Sequence, residues 1–147
     1  MRYTTAKTGR VFVLRLEDGE ILHHEVEKFA LANNINSAIV KILGGADKGS
    51  ILVVGPADGR AKKIEPMEYI LDNVYEITGV GTIFPNSEGS PIVHLHASCG
   101  RNDKSITGCV RKGVKVWVVM EVIITELIDC KAKRMLEKEN GFELLNP

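Results

Sequence analysis

Two histidines separated by one residue, His94 and His96 in the segment PIVHLHA (91–97), are the first feature of this sequence with chemical content. The segment reads as a strand. Side chains alternate across a strand, so the two imidazoles share one face, about 6.5–7 Å apart along the backbone. Ile92 and Ser98 extend that face, whereas Val93, Leu95 and Ala97 point the other way. The apolar set is the core-facing one, which leaves the histidines on the opposite face. The next strand signal is ITGCV (106–110). If the two strands form an antiparallel hairpin turning between Asn102 and Asp103, residue 96 lies opposite 109 and 94 opposite 111. Directly opposed side chains have Cβ atoms about 4.5–5.5 Å apart, so the Cys109 thiol stands beside the His96 imidazole, with His94 one step along. Two imidazoles and a thiolate suit Zn²⁺, whose bonds are about 2.0–2.1 Å to nitrogen and 2.3 Å to sulfur. Three protein ligands leave a fourth position for water, a small ligand or a neighbouring subunit. A slip of one residue would turn Cys109 to the other face. Without it, the histidine pair reads equally well as two polar residues on a solvated surface.

Other reactive side chains are less well placed. Cys99 lies on the opposite parity to the histidines, and Cys130 is remote in sequence and reads as a packing residue. Three cysteines without a CxxC pair do not form a disulfide framework, so reduced thiols are expected. His23 and His24 lack the H-E-x-x-H spacing of a metal-binding helix and read as surface residues. Glu121 is a carboxylate inside an apolar strand, and Glu76 in YEITG raises the same question. A buried carboxylate must be paired or have its pKa raised. Structural pairing is the simpler use, and a general base the alternative. Gly44-Gly45 and Gly79-x-Gly81 are not followed by helical patterns, which argues against a phosphate-cradling loop. No Ser/His/Asp order stands out, and the residues leave open whether the chain is an enzyme.

The elements that must position these residues follow from periodicity. Residues 10–16 alternate as a strand, 17–20 form a turn, and 21–33 switch to helical spacing through Leu22, Val26, Phe29 and Ala30, with Glu25, Glu27 and Lys28 outward. Asn33-Asn34 suits a helix end, because Asn tolerates left-handed geometry. Strands are expected at 37–43, 50–54, 62–65 and 75–84, with a helical turn at 66–72. Gly79 and Gly81 mark a bulge or a close backbone neighbour. A polar loop at 98–105 separates the two strands of the hairpin, and 114–127 forms a long strand. Its centre is apolar on both faces, so both must be covered. One helix covers only one face. The other is expected to meet a second subunit or a second sheet layer.

Composition bounds the rest. A chain of 147 residues with 44% hydrophobic content fits a single domain with its own core, here 1–147. No apolar run approaches the roughly 20 residues of a membrane-spanning helix, and the first residues lack the apolar segment of a secretory signal, so a cytoplasmic location is expected. Lys and Arg number 19 against 19 Asp and Glu. Binding to DNA through counterion release needs a local cationic excess. The short basic clusters at 60–63, 101–104, 111–112 and 131–134 read as solvated loops and strand ends. DNA contact is therefore expected to be weak. A net charge of zero also lowers the barrier to self-association.

The ordered segments YEITGVGTI (75–83), PIVHLHAS (91–98), TGCVRKG (107–113) and EVIITEL (121–127) resemble the plants-and-prokaryotes conserved (PPC) domain. The opening RVFVLRLEDGE (10–20) and the closing GFELL (141–145) extend the resemblance to about residues 8–145. It implies an α/β (α+β-like) fold, with one main helix packed on a bent, largely antiparallel mixed sheet. It also implies a homotrimer of the stand-alone prokaryotic type. Plant members carry AT-hooks, to which their DNA contact is credited, and this sequence has no Arg-Gly-Arg-Pro core. The family pattern continues with Gly-Gly-His-Leu where this chain has Thr107-Gly108-Cys109-Val110, so the family's third histidine falls on Cys109. A thiolate keeps a metal ligand there and makes the set softer and more selective for zinc. The implied metal ligands are thus His94, His96 and Cys109.

Overall fold

The computed structural model describes residues 1–61, 64–139 and 141–147. Eight strands form one sheet in the order β1-β8-β2-β5-β6-β7-β3-β4, and every ladder in it is antiparallel. They are β1 (Lys7–Glu17), β2 (Ala38–Ala46), β3 (Ile51–Pro56), β4 (Pro66–Ile70), β5 (Tyr75–Pro85), β6 (Pro91–Arg101), β7 (Lys104–Cys109) and β8 (Val116–Ile128). A separate two-stranded ribbon is made by β9 (Lys133–Glu137) and β10 (Phe142–Asn146). One helix, α1 (Leu22–Ala32), packs on the large sheet. No described helix is long and apolar enough to cross a membrane.

The helix forms because Leu22, Val26 and Ala30 fall on one stripe, and all three are fully buried. It stops as its asparagines predict. The Asn33 side chain donates to the Phe29 carbonyl at 2.9 Å, and Asn34 takes a left-handed φ of 56°. Glu27 departs from its expected outward place. Its carboxylate accepts a 2.9 Å hydrogen bond from the Val93 backbone N–H and so ties α1 to β6 beside the histidines.

Under α1 the inward side chains of β8, namely Val116, Met120, Val122 and Ile124, are buried with Val40 and Ile42 of β2 and Leu95 and Ala97 of β6. The opposite face is arranged in cross-strand rows. One row runs Val13, Ile123, Lys41, Val80, His96, Cys109, and the next runs Arg15, Glu121, Leu43, Thr78, Ser98, Thr107. Val11, Val13, Leu43 and Val80 are exposed there. The long strand is thus two-sided, as its composition predicts, but α1 covers only one side. Glu121 is exposed in the chain, not buried, because it points to this uncovered face.

Three local expectations change. Residues 66–70 form an edge strand, β4, paired with β3 through Ile51–Ile70 and Leu52–Tyr69, and not a helical turn. Five residues make few internal helical bonds, and a neighbouring edge supplies a ladder. Proline at the first residue of an edge strand is compatible with that ladder. Residues 98–105 are not a loop. Both strands run on to a two-residue turn at Asn102-Asp103, where Asn102 takes a φ of 53°. Their polar residues pair across the ladder, with the Ser98 and Ser105 hydroxyls 2.7 Å apart and Thr107 donating to Ser98 at 3.2 Å. The strand expected at 62–65 falls partly on Lys62 and Lys63, which lie outside the described residues. Ile64 and Glu65 are not in a strand.

Candidate metal centre

The ladder between β6 and β7 pairs His96 with Cys109, Ala97 with Gly108 and Arg101 with Lys104. This is the register expected from the sequence. Behind it, Gly79 and Gly81 let β5 approach β6 closely. A Cβ at Gly79 would lie 2.7 Å from the His96 carbonyl oxygen, and one at Gly81 would lie 2.6 Å from that of His94. The two glycines therefore hold the histidine backbone against its neighbour strand, as a close-approach glycine should.

On the face away from α1, His94 Nε2 and His96 Nε2 are 3.2 Å apart and the rings stand nearly perpendicular, at 83°. Cys109 is 4% exposed. One ligating atom from each of the three residues lies within 4.8 Å of the other two. Tetrahedral zinc bonds imply about 3.3–3.4 Å between two nitrogens and about 3.6 Å between nitrogen and sulfur. The histidine pair has this spacing already, and the Cys109 sulfur lies within 4.8 Å of a ligating nitrogen of each histidine. The donor set thus fits a zinc-like ion.

The surroundings are cationic. Arg111 donates from Nε to the Cys109 sulfur at 3.2 Å, an outer-shell bond of the kind that orients a ligand. β7 ends at Cys109, so Arg111 does not continue the ladder opposite His94 as expected but stays beside the thiol. Arg134, from β9, is 5% exposed, donates from Nη2 to Thr82 Oγ1 at 3.1 Å, and stands 5.9 Å from the Phe84 ring centre. Burial and then the charges of Arg134 and Arg111 lower the His94 pKa and favour its neutral form. Burial, and then Arg111, also lower the pKa of Arg134.

Two clefts flank the cluster. One of about 550 Å³ is lined by His94, Arg111, Arg134 and Glu143, and one of about 240 Å³ by His96, Cys109, Arg111 and Lys112; Phe142 borders both. Another cleft, of about 690 Å³, lies elsewhere, between Trp117 and Arg101, and Glu76 lines it. Glu76 pairs with Gly100, four residues along β6 from His96 or about 13 Å, and Glu121 lies three strands away from β6, about 14 Å. Neither candidate carboxylate is brought to the three donors. Cys99 faces the core, where burial raises its pKa to about 11. Cys130 is half-buried, and all three thiols are free. His23 is half-buried, not a surface residue, with its Nδ1 buried and unpartnered. Arg134 belongs to a run, 131–134, whose charges look solvated, yet it is buried. The signal available was alternation, since Ala132 and Arg134 share a parity and both are buried.

A family model for the Plants and Prokaryotes Conserved domain matches residues 3–128. The chain belongs to that family. Its domain fold is shared with solved structures at low sequence identity. A metal-containing protein from Archaeoglobus fulgidus is 23% identical with a TM-score of 0.84, each chain covered in full. A plant- and prokaryote-conserved protein from Pyrococcus horikoshii is 25% identical with a TM-score of 0.84, covering 100% of this chain and 98% of that one. A Bacteroides thetaiotaomicron protein for which DNA binding has been proposed is 13% identical with a TM-score of 0.78, covering 97% and 98%. No curated protein matches the chain.

Proposed function

We propose that this chain binds a transition-metal ion, zinc by the chemistry of its donors, through His94, His96 and Cys109, and that it works as a cytoplasmic homotrimer. The observation that carries the reading is the convergence of two imidazoles and a thiol to within 4.8 Å. The metal-containing relative from Archaeoglobus fulgidus supports it. Imidazole and thiolate together favour zinc over magnesium or calcium. Zinc, when bound, supplies a Lewis acid with a position open to a small molecule. The chain's own residues hold the ion, exclude water on the Cys109 side and orient the thiolate through Arg111. With Glu76 and Glu121 both distant, small-molecule binding is the reading that requires no further group. The exposed apolar residues of the uncovered sheet face support self-association, and the family resemblance points to three copies.

Elemental analysis of protein purified without added metal should find about one zinc per chain, and His96→Ala should lose it. Metal-free protein, or full retention in the variant, would overturn the reading. Sedimentation equilibrium should return the mass of three chains, and a monomer would remove the trimer.

A second reading, a DNA-associated regulator or an interaction module acting through its partners, is favoured by the DNA binding proposed for the relatives from Bacteroides thetaiotaomicron and Ralstonia eutropha. The balanced charge of the chain and the turning of Arg134 into the site oppose tight contact. Gel shifts with random duplex DNA should be weak at physiological salt. Tight, sequence-selective binding would favour this reading.

A further inference from the structure

We infer that the cleft lined by His94, Arg111 and Arg134 binds a small organic oxyanion, phosphate- or carboxylate-bearing, held between the two guanidiniums and the His/Cys cluster. The inference rests on the metal reading above and adds the class of ligand. Charge is the first argument. A dication on two neutral imidazoles and one thiolate leaves one positive charge, and the two guanidiniums add two more. Glu143, the carboxylate in the cleft lining, acts on Arg134 by its charge and offsets one of these three, leaving a net two, and among the described residues no salt bridge reaches Arg111 or Arg134. So dense a positive site calls for an anion.

The second argument is unmet hydrogen bonding. A guanidinium offers five N–H donors in a rigid fork. Arg134 is nearly completely buried, yet its described bond is the one to Thr82, and its Nε is buried without a partner. Arg111 spends its Nε on the Cys109 sulfur, and the remaining donors of the fork suit an oxyanion. The cleft also has the volume of a small-molecule site, about 550 Å³, and Ile92, Phe142 and Leu144 give it apolar walls for a carbon skeleton.

The test uses the full chain loaded with Co²⁺ in place of zinc, and inorganic phosphate or succinate as the probe. Visible absorption reports the metal coordination, and calorimetry reports the anion. The expected result is saturable binding of at least one probe, weakened about tenfold or more by Arg111→Gln and by Arg134→Lys, because each removes part of a charge-assisted fork. Circular dichroism checks folding. Should the buried Arg134 variant fail to fold, the exposed Arg111 carries the test alone. A thiolate-to-cobalt band without binding of either probe, or with unchanged affinity in Arg111→Gln, overturns the inference while the metal reading stands. If the band is absent, the metal reading fails, and titration of the metal-free chain decides the arginine pair. Arg111-dependent binding then retains the anion site, and its absence removes it. The tighter of the two probes assigns phosphate or carboxylate.

Discussion

Two hairpins meet at the candidate site, and they are built differently. β6–β7 lies inside the eight-stranded sheet, with β5 bonded to one side and β3 touching the other at Val53 and Cys109. β9–β10 is a lone ribbon, a form that is marginal without packing. The first presents the three donors on a backbone pinned by neighbours. The second brings Arg134 and Phe142 over them from outside the sheet. A metal set tolerates little displacement, whereas a cleft wall can move to admit a ligand. Under the two proposals above, the metal donors stand on the rigid element, and the anion cleft is shared between it and the adaptable one, with Arg111 just past β7 and Arg134 on β9.

The comparison breaks most completely at Gly81. In Gly81→Val a Cβ would meet both the His94 carbonyl oxygen and the Leu95 Cβ at 2.6 Å, and two backbones would have to part. The expected cost is about 3 kcal/mol or more, read as a lower urea midpoint, together with loss of metal binding. The matching change on the ribbon, Leu145→Val at an exposed position, should stay within about 0.5 kcal/mol. Equal effects would show that the ribbon is as tightly integrated as the sheet.

Hydrogen exchange sharpens the contrast further. Amides of β6 and β7 should exchange close to the rate of global unfolding, and those of β9 and β10 faster by on the order of 100-fold. Comparable protection in both hairpins would remove the proposed difference in mobility.

A smaller effect should act on both hairpins together. Glu126 of β8 accepts three hydrogen bonds from Arg10, at 2.7, 2.8 and 3.1 Å. These bonds, against the opposing effect of burial, hold its pKa at about 2, below its ordinary 4.5. Because the folded pKa is depressed, the stabilisation is fully present above about 4.5 and is lost as the pH falls from there towards about 2. Thermal melts of the protein should lose stability across that window, and Glu126→Gln should flatten the slope. An unchanged slope would refute the assignment.

Legibility followed the same division. Strand parity made the shared face of His94 and His96 readable, and the pairing of His96 with Cys109 followed only on the condition of a hairpin turning at Asn102-Asp103, which the structure supplies in place of the expected loop. Gly79 and Gly81 were readable as marking either a bulge or a close backbone neighbour, and the structure decides for the close neighbour, β6. Arg134 was not. Its run of charges looks like any solvated surface, and burying it depends on where a remote ribbon lands. Residues 66–72 failed for a related reason, since an edge strand is defined by its neighbour more than by its own pattern.

What the amino-acid order determined by itself was local and periodic: the alternation that sorts side chains onto two faces and sets His94 beside His96, the helical stripe of α1, and the soft donor chemistry of two imidazoles and a thiol. These depend on residues a few positions apart, whose relative placement the backbone geometry enforces. Tertiary structure decided what surrounds the donors: Arg134 brought over from β9, the clefts on either side, the exposure of Glu121 on a face that α1 does not cover. Those features join segments dozens of residues apart, and their positions depend on the summed packing of the whole chain, which no short stretch of it encodes.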